Sequence, residues 1–432
     1  MLDTSILVGE LNARDASTRL GALKLLMRKI ESGELERPVT GDDINNHIHT
    51  IYSFSPYSPT KAVWLAYNAG LRTVGIVDHD SISGAKEFIE AGDIVGMPTT
   101  IGIECRADMS GTPLAGRRIN NPDQDSIAYV VLHGIPHTKI AAVTEFFRPY
   151  QAFRNERNRK MTDNINAMLS NRGISIDFDR DVTTLSQDSR GGTITERHIS
   201  LALAKKLIAR YGKGNELVSF LRYELSLPMD AKTQKFLMDP GNQYYEYDLL
   251  GFIKSDFIGS FYIEAEKECP GVRDVIALAK RVGAVSAYAY LGDVTDSVTG
   301  DKRAQKFEDE YLDELFEVIT TLGFNAVTYM PPRNTDAQLS RVRSLCERHG
   351  LFQISGVDIN SPRQSFVCEE LRQSQFEKLR DAAWALIGHE RAATENPDGG
   401  MFAEKTVKAH PSLDERVRIF REIGLAAGRL SR

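Results

Sequence analysis

From residue 44 onward, short runs of apolar, β-branched residues alternate with longer segments whose apolar positions recur at helical spacing. The runs are 44–49, 73–77, 99–104, 128–133, 284–290, 326–329 and 352–358, and helical segments are predicted at about 59–70, 82–92, 271–282, 303–322 and 335–349. Strands that alternate with helices imply a mainly parallel sheet, and seven of them imply a closed or nearly closed barrel. Before this region, Leu20, Leu23, Leu25, Leu26 and Ile30 fall close to helical spacing, so 1–43 reads as a helical N-terminal extension. Residues 140–275 break the rhythm. They are charged and helix-rich, with breaks at Gly173, Gly191-Gly192 and Pro240-Gly241, and read as a mostly helical insertion between two barrel strands. The barrel is therefore expected in two parts, 44–139 and 276–365, followed by a helical tail at 366–432.

Composition narrows the class without naming a chemistry. Of 432 residues, 42% are hydrophobic and 26% charged, as in ordinary globular proteins, and no apolar run reaches the roughly 20 residues that span a bilayer. The four cysteines lie far apart without CxxC spacing, which argues against a zinc ribbon or a disulfide framework and fits a reducing cytoplasm. A net charge of −6 disfavours indiscriminate binding to nucleic acid. Neither a Walker loop, a dinucleotide-binding glycine motif nor a GxSxG elbow occurs.

The chemistry lies in where the polar residues fall. His47 and His49 stand two apart at the end of the first strand, so both side chains face the same way and can reach one ion. Taken singly, such residues have plain structural roles: a strand-end Asp caps the next helix, and a lone His in an apolar run is a core residue. Here, however, four of seven predicted strands end on a potential metal ligand: His47 with His49, Glu104, His133 and Asp358. A fifth is followed directly by Asp78-His79-Asp80. In a parallel barrel all these ends meet at one rim, so residues distant in sequence are expected to converge on a metal site.

The runs His47-Ile48-His49-Thr50, Ile76-Val77-Asp78-His79-Asp80, Gly102-Ile103-Glu104, Val131-Leu132-His133-Gly134 and Gly356-Val357-Asp358, in this order, resemble a PHP domain, the polymerase and histidinol phosphatase superfamily. The segments Arg154–Lys160 and Arg197-His198-Ile199 are similar to those of its stand-alone phosphoesterases. The resemblance spans about 44–362 and implies an α/β fold, a distorted (β/α)7 barrel. It further implies a first metal position made by His47, His49, Glu104 and Asp358, and a second that shares Glu104 and adds His133. A third position would use His79. Three family ligands are missing: Phe54 stands where an Asp is usual, Ala287-Tyr288-Ala289-Tyr290 lacks the usual His, and Asn360 replaces the final His. The third position is thereby weakened, and the second depends on Tyr288, Tyr290, His198 or solvent to fill its gap.

These readings predict a metal-dependent phosphoesterase that hydrolyses a phosphomonoester or phosphodiester with a metal-activated water. Mixed imidazole and carboxylate donors suit Mn, Zn or Fe, one or two ions per chain, better than Ca. His79 or His198 is the expected general acid; Arg154, Arg157, Arg197 and Asn360 are expected to hold substrate. Asp78 is expected to support a ligand or cap a helix rather than bind metal. A small phosphorylated metabolite, a nucleotide or a nucleic-acid end is the expected partner. The other reading open to this sequence is a barrel with a reduced metal site that serves as a non-catalytic binding or structural module.

Overall fold

The computed structural model describes residues 3–294 and 305–430. Seven strands form one sheet in chain order: β1 (Ile44–Ile48), β2 (Thr73–His79), β3 (Thr99–Asp108), β4 (Ile127–His133), β5 (Val285–Ala289), β6 (Ala326–Tyr329) and β7 (Phe352–Ser355). Helices α1 (Thr4–Glu10) and α2 (Ala16–Glu31) precede β1, α3 (Pro59–Asn68) joins β1 to β2, and α4 (Ala85–Val95) joins β2 to β3. Between β4 and β5 run α5 (Ile140–Leu169), α6 (Glu196–Tyr211), α7 (Asn215–Ser219), α8 (Ala231–Met238), α9 (Tyr245–Phe252) and α10 (Val272–Val282). Helix α11 (Leu312–Leu322) precedes β6, α12 (Asp336–His349) precedes β7, and α13 (Glu377–Glu395), α14 (Glu404–Ala409) and α15 (Leu413–Leu430) complete the chain.

The sheet closes on itself. Ile48 and Ile359 form a parallel bridge in which the His49 amide donates to the Ile359 carbonyl (3.0 Å) and the Ile359 amide to the His47 carbonyl (3.1 Å). The Asn45 side chain staples the seam, accepting from the His47 and Val357 amides and donating to the Val357 carbonyl. A Cβ on Gly356 would stand 2.6 Å from the His47 nitrogen, so only glycine allows the chain after β7 to approach β1 this closely.

One strand departs from the expected parallel order. β4 is antiparallel to both β3 and β5. The physical reason is the connection: β3 and β4 are joined by turns and loop alone, and a parallel pair would need a crossover that usually carries a helix. His133 therefore ends a strand that runs against its neighbours, pairing with Val285 at the start of β5 and standing two residues along β4 from Val131, the partner of Glu104.

Outside the strands, α3, α4, α10, α11 and α12 pack one large apolar core against the sheet. At the N-terminal end of the barrel α13 acts as a plug: Ala382, Ala385 and Leu386 pack on Val285, Ala287, Ala326, Phe352 and Ile354. The helices between β4 and β5 have an apolar core of their own, from Met161 and Ile165 on α5 to Phe257 and Phe261.

Candidate metal centre

His47 and His49 face the barrel interior because they alternate with the outward Ile48, and β3 presents Glu104 beside them. One donor atom from each of these three buried residues lies within 4.8 Å of the others. Glu104 Oε1 is 3.7 Å from His47 Nε2, and its Oε2 is 3.6 Å from His49 Nε2. Asp358 Oδ1 lies 3.3 Å from His49 Nε2. Two donors bound to one ion at about 2.1 Å and the tetrahedral angle would stand about 3.4 Å apart, so these separations are those of ligands around a shared ion. His49 Nε2 is buried and has no hydrogen-bond partner, a loss that metal coordination would relieve. The donor set, two imidazoles and carboxylates, fits a transition-metal dication such as Mn, Zn or Fe.

The surroundings orient these ligands. Asp78, buried behind the site, accepts 2.6 Å hydrogen bonds from the Thr50 amide, the Thr50 hydroxyl and the Ser53 hydroxyl. Because Ser53 donates its proton to Asp78, its oxygen is left to accept from His49 Nδ1 at 3.4 Å, which keeps the Nε2 lone pair for a ligand. Asp78 is thus a support of the turn after β1. Burial raises its carboxyl pKa, with His49 and these hydrogen bonds acting against the shift. Burial alone would lower the His47 pKa, but the Glu104 carboxylate outweighs it and raises it. Asn360 donates to Asp358 Oδ1 (2.7 Å) and so steadies a candidate ligand.

His79 joins the group from the end of β2. Its Nδ1 is 3.1 Å from Glu104 Oε2, and its ring stacks on His49 at 4.5 Å between centroids. His133 stands outside the trio. It is buried, its Nε2 is unpartnered, and burial followed by the charge of His47 pushes its pKa down to about 3.

Two sets of expected site residues are engaged by other partners. Arg154, which lines the cavity, and Arg157 are both engaged by carboxylates. Arg154 pairs with Asp80 and, at 2.8 Å, with Glu196, while Arg157 pairs with Glu196 and Glu268. Arg106 from β3 bonds the same Glu196 and Glu268. Three guanidiniums and three carboxylates thus neutralise one another in a buried network that fastens α5 and α6 to the barrel. His198 is equally committed: its Nδ1 accepts from the Thr195 amide (3.0 Å) in the cap of α6, and the Phe54 ring meets it edge-on at 4.9 Å. Burial, then the charge of Arg154, pushes its pKa down to about 3, which leaves it neutral and poorly placed as a general acid.

The cluster opens into a cavity of about 290 Å³. His47, His79, Glu104 and Asp358 form its floor, Phe54, Tyr129 and Tyr290 are among its walls, and Arg197 and Lys254 face it from the segment between β4 and β5. Lys254 is paired with Asp123 (3.1 Å). Tyr129, Asn120 and Lys254 escaped sequence reasoning. Only the inward alternation of Tyr129 with Val131 and His133 along β4 could have placed one of them.

No family model and no curated protein matches the sequence. Solved structures similar to this chain include a protein from Bifidobacterium adolescentis, provisionally described as a metal-dependent phosphoesterase, at 20% identity and TM-score 0.47 over 78% of this chain and 95% of that one. Another is an amidohydrolase from Chromobacterium violaceum with bound sulfate and no metal, at 17% identity and TM-score 0.49 over 76% and 90%. Likeness at this level assigns no function, and the side chains must carry it.

Proposed function

We propose that the protein is a metal-dependent phosphoesterase acting on a small phosphorylated molecule or nucleotide, or on the terminal residue of a nucleic acid. The observation that carries this reading is the buried His47–His49–Glu104 trio with Asp358 beside it, of which His47, Glu104 and Asp358 line a cavity that also holds an arginine. A volume of about 290 Å³ lies at the low end for small-molecule pockets, which favours a compact substrate over a long polymer inside the barrel.

His47 and His49 would hold the ion through Nε2, Glu104 through either oxygen and Asp358 through Oδ1, with His79 an additional donor at Glu104. When bound, a divalent ion supplies Lewis-acid chemistry, activating water and polarising a phosphoryl oxygen. The chain itself sets the rest. Asp78, Ser53 and Asn360 fix the ligand orientations, the aromatic walls limit bulk water, and Arg197 presents N–H donors to an anion.

The test is hydrolysis of phosphomonoesters, nucleotides and short oligonucleotides by Mn-loaded protein, with Glu104→Gln as the variant. Loss of an outer-shell support typically costs 10–100-fold, so removal of this ligand charge should lower both metal affinity and turnover by at least about 100-fold. Turnover unchanged in Glu104→Gln would refute the assignment. Protein that binds no metal and turns over no phosphoester would leave the barrel as a non-catalytic module.

A further inference from the structure

Among the described residues, the donors gathered at the cavity form one cluster, His47, His49 and Glu104 with Asp358 and His79 beside them. The family pattern noted in the sequence draws a ligand for a second ion from β5, and here β5 offers none: the residue it turns to the cavity is Ala289. Tyr288 is fully buried against Phe324 and bonds Glu308, while Tyr290 gives its hydroxyl proton to Asp309 at 2.6 Å. On the side of His79 the neighbouring positions are equally unavailable. Phe54 is packed with Leu201 and Leu250, and Asn360 donates to Asp358.

A fixed cation stands in the same cavity. Arg197 is half-buried, lines the wall with His79 and Glu104, and its charge reaches His79. Among the described residues its guanidinium has no hydrogen bond or ion pair, whereas Arg154 and Lys254, the other cations of the wall, are each neutralised by carboxylates. A half-buried guanidinium without a counter-charge at the mouth of an acid-and-histidine cluster is a receptor for an anion.

We infer that the centre works with a single divalent ion and that the Arg197 guanidinium supplies the second positive charge on the phosphoryl group. This rests on the phosphoesterase reading above. In the hydrolysis, the oxygen of water forms a new bond to phosphorus as the ester P–O bond breaks. One proton of that water stays with the phosphate and the other ends on the leaving oxygen. Arg197 donates hydrogen bonds to the non-bridging oxygens and transfers no proton. A substrate with a terminal, dianionic phosphate would use both cations best, so phosphomonoesters are preferred over diesters.

The experiment uses the full chain reconstituted with Mn, and inorganic phosphate as the probe. Native mass spectrometry should find one Mn per chain, and electron paramagnetic resonance an uncoupled six-line spectrum. Calorimetry should show Arg197→Ala binding phosphate about tenfold or more weakly than the wild type, with Mn content and circular dichroism unchanged, and Arg197→Lys in between. Two tightly held ions, an exchange-coupled spectrum, or wild-type phosphate affinity in Arg197→Ala would each overturn the inference while leaving a metal-dependent hydrolase in place. A chain that takes up no metal would overturn that broader reading as well.

Discussion

Glu268→Gln tests whether the arginines of α5 are structural. Glu268 accepts hydrogen bonds from Arg106 and Arg157, and its Oε1 stands 3.9 Å from Arg154 Nε. The six charged members of this network are between 4% and 6% exposed, so water screens them little. At an effective dielectric constant near 20, one pair at this separation interacts by about 4 kcal/mol, and the carboxylate faces three guanidiniums. Relief of the carboxylate's own desolvation offsets part of the loss, but three arginines would then face two acids in a buried site. Breaking a buried ion pair from one side costs about 3–5 kcal/mol. In a chain this long that should lower the thermal midpoint by roughly 5–10 °C, since each kcal/mol moves larger domains by only about 2 °C. Calorimetric melting at neutral pH checks it, with Glu90→Gln as control: the Lys24–Glu90 pair is about half exposed on both sides and should leave the midpoint unmoved. A shift for Glu268→Gln within about 2 °C of wild type, or tighter phosphate binding by the variant, would show that these arginines are available to a ligand after all.

Two further outcomes follow from the surroundings of the centre. Asp78→Asn should weaken Mn binding about 10–100-fold by releasing Thr50 and Ser53, as measured by competition with a chelating dye; unchanged affinity would mean that the turn after β1 holds itself. At the plugged end of the barrel, His137 Nε2 meets the buried Glu390 at 2.8 Å, and Glu390 also accepts from the Ile101 amide. Burial alone would lower the His137 pKa, but Glu390 outweighs it and raises it, so the folded state binds the proton more tightly than the unfolded one. The resulting stability is complete below the unfolded pKa near 6.5 and is lost as pH rises through the higher folded value. Urea unfolding should therefore show the advantage of wild type over His137→Asn greatest near pH 6 and shrinking by pH 9. An advantage that grows with pH would reverse the assigned sign.

The site was legible where its information is local. His47 and His49 show their shared orientation by spacing alone, and Glu104 and Asp358 announce themselves as acids ending apolar runs. Strand direction was not legible from those runs, because the alternation from Ala128 to His133 reads the same either way. The signal lay in the connection: between Glu104 and Ala128 there is no amphipathic segment, only a stretch with Gly111, Pro113, Gly116 and Pro122, too turn-rich for a crossover helix. That stretch, given its full weight, argues on sequence grounds alone for an antiparallel strand ending at His133.

The arginines show a harder limit. Arg154, Arg157 and Arg197 look alike in sequence, and what distinguishes them is whether a carboxylate reaches each one. Arg157 meets Glu268 across 111 residues of chain, and Arg154 meets Glu196 across 42, so no window on the sequence contains both members. Charge pairing in the folded chain selects among the three. Arg154 and Arg157 are neutralised where they stand, and their contribution is to hold the helices after β4 against the rim. That leaves Arg197 carrying its net charge into the cavity. On the inference above, an anion that binds near the candidate metal ligands is recognised there, by the one cavity-wall arginine that, among the described residues, folding leaves unmatched.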